Sequence, residues 1–242
     1  MIDKILDVRG IGPVLITGPH SIDTIRNGNK LHKKEEYISE VVEKIYKNLG
    51  PNLCTIITWN TKFITEYNMY PSDPNFVIDI EKSIWFKKLK EIKLKKPRFY
   101  LHIDLHGMKN NSSKNDIEIG MKAIHMYRPG MSQHMKPVIK EAFNELNTKY
   151  GFNSKFQGFG MNKYTVSEKG AMLGFFSIQM ETSPYIRKKI IKDIKYFHKF
   201  IKCIKKIYHF WRKEIRKPLN RNKTIRKIKK NFKKTRKNNK LY

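Results

Sequence analysis

The chain has 242 residues, 39% of them hydrophobic and 30% charged, and a formal net charge of +30. That length and apolar content permit one sizeable core plus an extension, and the charge predicts attraction to polyanions such as nucleic acid, an anionic membrane or an acidic substrate. Its two cysteines, Cys54 and Cys203, form no C-x-x-C pair, which argues against a cysteine-based zinc site or a disulfide framework and fits a reducing compartment.

The first ten residues (MIDKILDVRG) carry acids and no long apolar run, so no signal peptide is expected. No stretch reaches the roughly 18 apolar residues of a membrane span, so the expectation is a cytoplasmic protein. Residues 13–17 predict a short buried strand that stops at Gly18-Pro19-His20, with His20 just past its end. Residues 21–34 are polar, and Asn27-Gly28-Asn29 predicts a loop. Residues 35–49 predict a helix, with Ile38, Val41, Val42, Ile45, Tyr46 and Leu49 at three- and four-residue steps and Gly50-Pro51 as the stop. Residues 53–59 predict a second strand, and residues 60–80 an irregular stretch around Asp73-Pro74-Asn75.

A helix is expected over 81–94, closed by Pro97, and a strong strand over 98–106. After a Lys/Asn/Ser loop at 108–115, a short strand is expected at 116–120. A helix around 133–149 buries Met135, Ile139, Ala142, Phe143 and Leu146. Residues 173–181 predict the last strand. Residues 188–216 predict one long amphipathic helix, with Ile191, Ile194, Phe197, Ile201, Ile204, Tyr208 and Trp211 on its apolar stripe. Strands alternating with helices predict an α/β layered domain over residues 1–217. Beyond Pro218 the composition shifts: residues 212–242 hold fifteen Lys/Arg and one acid, Glu214. Residues 218–242 are therefore expected to be a disordered basic tail that binds polyanions non-specifically. Only Phe232 and Tyr242 interleave those charges with aromatic rings, which argues against base-specific readout.

A catalytic zinc site needs about three protein ligands and an open position. His20 and His106 both fall at strand ends, where open α/β sheets bind ligands. His102, Asp104 and His106 share one strand face by period 2, and Asp104 is a candidate to orient a ligating imidazole. His102 alone reads as a hydrogen-bonded core histidine. The third ligand should be a carboxylate, Glu35 or its neighbour Glu36. Helix phase favours Glu35, which falls on the inward stripe, while Glu36 falls with Glu40, Glu43 and Lys47 on the polar side; a charge at the helix N-terminus is the alternative for Glu35. Ser177, Gln179 and Glu181 share one face of the last strand, and Glu181 at its end is a candidate general base that then protonates a leaving amine.

Taken in order, these segments resemble the N-formylglutamate amidohydrolase-like proteins. Gly18-Pro19-His20-Ser21, Arg26-Asn27-Gly28 and Glu35-Glu36-Tyr37 resemble the first metal-binding segment of that family, and Asp73-Pro74-Asn75 its Asp-x-Asn element. Ile103 to Gly107 resembles the second histidine segment, Asp116 to Gly120 the strand that often follows, and Ser177 to Arg187 the terminal Gln-x-Glu segment with its trailing arginine. The first segment departs from the family in having Ser21 where Gly commonly follows the Pro-His pair. The similarity spans roughly residues 10–190 and leaves out the basic tail. It implies a three-layer sandwich, a mixed sheet between helices, related to zinc carboxypeptidases. It implies one zinc ion on His20, Glu35 and His106, Glu181 as general base, and, with phage poly-γ-glutamate hydrolases among the relatives, an N-acyl glutamate or glutamyl amide as substrate. Arg187 and Asn75 are then candidates to hold the substrate's anionic group. The alternative is a polyanion-binding protein on an inactive hydrolase-like domain; the joint presence of both histidines, Glu35 and Glu181 argues against it.

Overall fold

In a computed structural model the described residues are 2–26, 30–67, 69–77, 79–95, 101–109, 114–127, 130–153 and 164–216. Three parallel strands form the centre: β2 (Val14–Thr17), β6 (Leu101–Gly107) and β9 (Phe176–Thr182). Every residue of β2 is buried, as expected for a strand covered on both faces. Outward on one side lie β5 (Cys54–Trp59), parallel to β2, and then β1 (Leu6–Gly10), antiparallel to β5. On the other side β7 (Ile117–Gly120) runs antiparallel to β9, and β8 (Tyr150–Asn153) lies parallel to β7. The result is a seven-stranded mixed sheet in the order β1-β5-β2-β6-β9-β7-β8. A second sheet is a hairpin of β3 (Thr24–Arg26) and β4 (Lys30–His32).

Helices flank the large sheet. Helix α2 (Ile38–Leu49) packs on β5 and β6 and against α8 (Pro184–Lys192). Its buried side chains are Ile38, Val41, Val42 and Ile45, spaced for a single face. Helices α4 (Ile84–Lys95), α5 (Lys122–Tyr127) and α7 (Val166–Met172) form a second group, with α7 lying on β6 and β9. In that layer Trp85, Leu89 and Ile92 of α4 join Leu15, Ile57, Trp59, Val166 and Phe175 in one apolar cluster. The remaining helices are α1 (Ile2–Ile5), α3 (Thr61–Glu66), α6 (Met131–Asn144) and α9 (Ile194–Arg216). The described residues up to Tyr208 form one compact unit, and those from His209 to Arg216 belong to a second. None of the described helices is long and apolar enough to cross a membrane.

Several expectations change in detail. The helix expected over 35–49 begins only at Ile38, after Tyr37 in a left-handed conformation (φ 65°). Glu35 and Glu36 therefore lie in a turn, and helix phase does not decide between them. The helix expected over 81–94 is a 3₁₀ turn (Ile80–Lys82) followed by α4, because the Ser83 backbone is extended. The long helix expected over 188–216 is two helices. Asp193 ends α8 with an extended backbone, and its carboxylate accepts from Tyr196 N at 3.0 Å to start α9. The break resets the helical phase: Ile194 is exposed, whereas Phe197, Ile201, Ile204 and Tyr208 are buried as expected. The helix expected over 133–149 spans Met131–Asn144, and its five expected core residues are all buried. The stretch 60–80 is more regular than expected, since Asn60 caps α3 through Phe63 N at 3.2 Å. The Asn27-Gly28-Asn29 loop, residues 98–100 of the expected strand, and the tail at 218–242 lie outside the described residues.

Candidate metal centre

The carboxyl ends of β2, β6 and β9 bring His20, His106 and Glu181 to one edge of the sheet, where His106 and Glu181 are register partners. The turn carrying His20 is held by Trp59, whose indole donates to the Pro19 carbonyl at 2.6 Å. His20 and His106 are almost completely buried, and their Nδ1 atoms face one another at 3.1 Å. On the far side of each ring stands a buried aspartate. His20 Nε2 donates to Asp73 Oδ1 at 3.0 Å, and His106 Nε2 lies 3.2 Å from Asp104 Oδ2. Each carboxylate thus orients one ring so that both Nδ1 atoms converge.

Glu35 closes the group. Its backbone N–H donates to the His20 carbonyl at 2.9 Å. Its Oε1 accepts from His20 Nδ1 at 2.8 Å, and its Oε2 accepts from Gly107 N at 2.7 Å. Oε2 is also 3.9 Å from His106 Nδ1. The side chain therefore bridges the two histidine segments directly. Glu36 is exposed, and its carbonyl accepts from Arg187 Nε at 2.6 Å.

The electrostatics favour a cation between these groups. Burial disfavours charge on His20, yet the Glu35 carboxylate and the bonds to Asp73 and Glu35 outweigh it and raise the ring to about 9. Burial likewise opposes charge on His106, and Asp104, with help from Glu181 and Glu35, raises it to about 10. With the two Nδ1 atoms 3.1 Å apart, only one hydrogen fits on the line between them. Against the cost of burial, Glu35 and Asp73 are held below the usual carboxylate range, chiefly by His20, and Asp104 chiefly by His106. Glu181 behaves in the opposite way: burial raises its carboxyl, and Glu35 adds to the shift against the counter-pull of His106. Gln179 Nε2 donates to Glu181 Oε1 at 2.9 Å.

The donor set suits zinc. The two imidazole Nδ1 atoms lie 3.1 Å apart, and the Glu35 carboxylate approaches that of His20 through Oε1 at 2.8 Å and that of His106 through Oε2 at 3.9 Å. Zinc bonds of about 2.1 Å in a tetrahedron give donor–donor edges of about 3.4 Å. Imidazole and carboxylate ligands are also the types this ion takes in catalytic centres.

The other expected residues have internal roles. His102 is fully buried, and Thr17 Oγ1 lies 2.9 Å from its Nε2. Because Thr17 donates its own hydrogen to Asp104 Oδ1 at 2.7 Å, it must accept from His102. Ser177 Oγ then donates to His102 Nδ1 at 2.9 Å, and burial keeps the ring neutral by pushing it down to about 4. Asp104 Oδ2 also accepts from Ser167 N at 2.8 Å. Asn75 Oδ1 accepts from Val166 N at 3.0 Å, at the start of α7. Arg187 is buried, with Nε on the Glu36 carbonyl and Nη1 on the Thr182 carbonyl, and it packs on Gly107 so closely that a side chain there would strike the guanidinium. At least two of its donors hold the backbone around the centre.

Sequence reasoning left several members out. Asp73, part of the Asp-x-Asn element, is the residue of that element that reaches a histidine, and Arg26 Nε fixes its other oxygen at 2.6 Å. His32 lies on β4, 3.7 Å from Glu35 Oε1 through Nε2, and His20, His32 and Glu35 bring donor atoms within 4.8 Å of one another. The Asn27-Gly28 pair was a hairpin signal that would have brought His32 to the cluster. Lys169 is fully buried, donates to the Pro74 carbonyl and lies within the fields of Asp104 and Asp73; burial lowers it to about 8.

No family model matches the chain, and no curated protein matches it. Among solved structures it is similar to a gene product of Agrobacterium tumefaciens, with a TM-score of 0.52 at 10% identity over 84% of this chain and 96% of that one. It is also similar to a bacteriophage poly-γ-glutamate hydrolase, with a TM-score of 0.48 at 12% identity over 84% and 86% of the two chains. A third neighbour is YndL in a zinc-free form, with a TM-score of 0.46 at 15% identity over 84% and 88%. At such identities the likeness is one of fold.

Proposed function

We propose that this chain is a zinc-dependent hydrolase that cleaves the amide bond of an N-acyl glutamate or a related glutamyl substrate. The observation that carries the reading is the convergence of His20 Nδ1, His106 Nδ1 and the Glu35 carboxylate, each ring backed by its own buried aspartate. A buried, carboxylate-rich cluster at strand ends is suited to a divalent cation, and Glu181 is His106's register partner on the neighbouring strand. The glutamyl part rests on the resemblance of the ordered motifs, and the +30 charge is in keeping with an anionic substrate.

His20, Glu35 and His106 would hold the ion; zinc there supplies Lewis acidity, lowering the pKa of water toward about 7 and polarising an amide carbonyl. Asp73 and Asp104 keep both imidazoles in the tautomer that leaves Nδ1 available. Glu181, with its raised carboxyl, takes a proton from the attacking water as the new carbon–oxygen bond forms. It returns that proton to the nitrogen as the carbon–nitrogen bond breaks, so that amide and water become a carboxylic acid and an amine, and the acid's proton then passes to the amine to leave a carboxylate and an ammonium. Arg187 holds the Glu36 and Thr182 carbonyls and thereby the turn that carries Glu35 and the end of the strand that carries Glu181.

The test is metal analysis of the purified protein combined with hydrolysis of N-formyl- and N-acetylglutamate and of γ-glutamyl peptides, before and after chelation. We expect close to one zinc per chain and activity that chelation removes and zinc restores. Full zinc content in both His20→Ala and His106→Ala would overturn the site. Zinc binding without turnover of any glutamyl amide would overturn the substrate class.

A further inference from the structure

The hairpin of β3 and β4 brings a third imidazole to the centre that the reaction above does not use. His32 pairs across the hairpin with Thr24. Its ring stands edge-on to His20 with centroids 4.6 Å apart. Its Nε2 is buried and takes no hydrogen bond, at 3.7 Å from Glu35 Oε1. A buried polar nitrogen left without a partner is destabilising, and an ion beside Glu35 would remove that penalty. The 3.7 Å separation is close to the donor–donor edge of about 3.4 Å in a tetrahedral zinc centre.

We propose that His32 Nε2 is a fourth, displaceable ligand of the ion held by His20, Glu35 and His106, an inference that rests on the metal reading above. The four ligands are not equally anchored. His106 belongs to a central strand, His20 follows one directly, and Glu35 is clamped by Gly107 N and the His20 carbonyl. His20 and His106 also have aspartates behind their rings. His32 is held differently: it lies on a separate two-stranded sheet, and its Nε2 makes only the 3.7 Å approach to Glu35 Oε1. It is also the most accessible of the set, with a side chain 18% exposed against 13% for Glu35, 3% for His20 and 2% for His106. A group arriving from solvent meets His32 and Glu35 first, and His32 leaves at the least cost in other bonds. Four protein ligands make a closed centre and three an open one. His32 thereby decides between a closed resting centre and one that accepts an anionic substrate group.

The experiment follows the ring nitrogens of the full chain by ¹⁵N NMR as zinc is added, with zinc affinity measured against a chromophoric chelator. In the zinc-loaded protein His32 is expected to show a coordinated Nε2, and His20 and His106 a coordinated Nδ1. His32→Ala should still bind one zinc, at least about tenfold more weakly. With cobalt(II) in place of zinc, acetate should perturb the visible spectrum at lower concentration in His32→Ala than in the wild type, because the position is no longer taken. A zinc-loaded wild type whose His32 Nε2 keeps its uncoordinated shift overturns the proposal, whatever the variant does. So does a His32→Ala variant that binds zinc and acetate as the wild type does. If the wild type takes no zinc at all, the metal centre itself fails, an outcome distinct from zinc bound without His32.

Discussion

At the scale of single residues, adjacent groups of the same chemistry are assigned opposite tasks by what surrounds them. Glu35 lies among imidazoles and is held ionised, whereas burial and the Glu35 charge push the Glu181 carboxyl up. That contrast is the expected division between a metal ligand and a proton carrier. Glu181→Gln should keep the fold and the zinc, since the side chains are nearly isosteric, but should lower turnover by at least about 10²-fold. Loss of zinc in that variant would make Glu181 a ligand instead. Glu35→Gln should weaken zinc binding far more than Glu36→Gln, because only Glu35 reaches His20 and Gly107 N; equal affinities in the two variants would refute the assignment. The raised histidines add a pH dependence. A folded-state pKa above the unfolded one contributes stability that is complete below about 6.5 and is lost as pH rises through the folded value. The metal-free protein should therefore lose stability progressively from about pH 6.5 upward, with the loss complete by about pH 9 to 10. Zinc must displace the same protons, so calorimetry in buffers of different ionisation enthalpy should find proton release near pH 7 that fades above about pH 9.

At the scale of elements, α7 shows how a short helix secures a site it does not enter. Thr165 and Glu168 form a capping box at its start, and Asn75 Oδ1 and Asp104 Oδ2 accept from the N–H groups of Val166 and Ser167. The helix thereby ties the Asp73-Pro74-Asn75 segment to the strand that carries His106. Gly170 faces His102 and Ser177 so closely that an added Cβ would lie 2.5 Å from His102 Nδ1 and 2.6 Å from Ser177 Oγ. Gly to Ala inside a helix ordinarily stabilises by about 1 kcal/mol. At Gly170 we expect the opposite sign, a loss of about 1–3 kcal/mol in chemical denaturation, because the methyl overpacks a fully buried polar pair. A stabilised Gly170→Ala would mean that β6 and α7 can separate without cost. The Thr165-x-x-Glu168 spacing was legible as a helix start, and Asp193 before Ile194 as another, yet neither stood out beside the longer apolar periodicities. The three-residue strands of the hairpin carry too few side chains for a period-2 pattern.

At the scale of the whole molecule, the charge and the centre make separate claims. We propose that residues 219–242 bind polyanions through counterion release and are dispensable for the compact unit that ends at Tyr208. Deleting them should leave zinc content, turnover and melting temperature unchanged while weakening binding to heparin or RNA and flattening its salt dependence. A large fall in melting temperature on truncation would count against that separation.

The sequence by itself determined the layered α/β plan, since buried strands and amphipathic helices are written as local periodicities. It also singled out His20 and His106, because a histidine after an apolar run marks a strand end. Only the tertiary structure decided which carboxylates meet them. Glu35 reaches the centre from a turn that no helix phase describes, and Asp73 and His32 arrive from segments with no strong periodicity of their own. Their positions are set by backbone bonds between distant segments: Glu35 N to the His20 carbonyl, Gly107 N to the Glu35 side chain, and Asp73 N to the Ile25 carbonyl. Such contacts carry no sequence period, because their partners lie far apart along the chain and meet only once the sheet has formed.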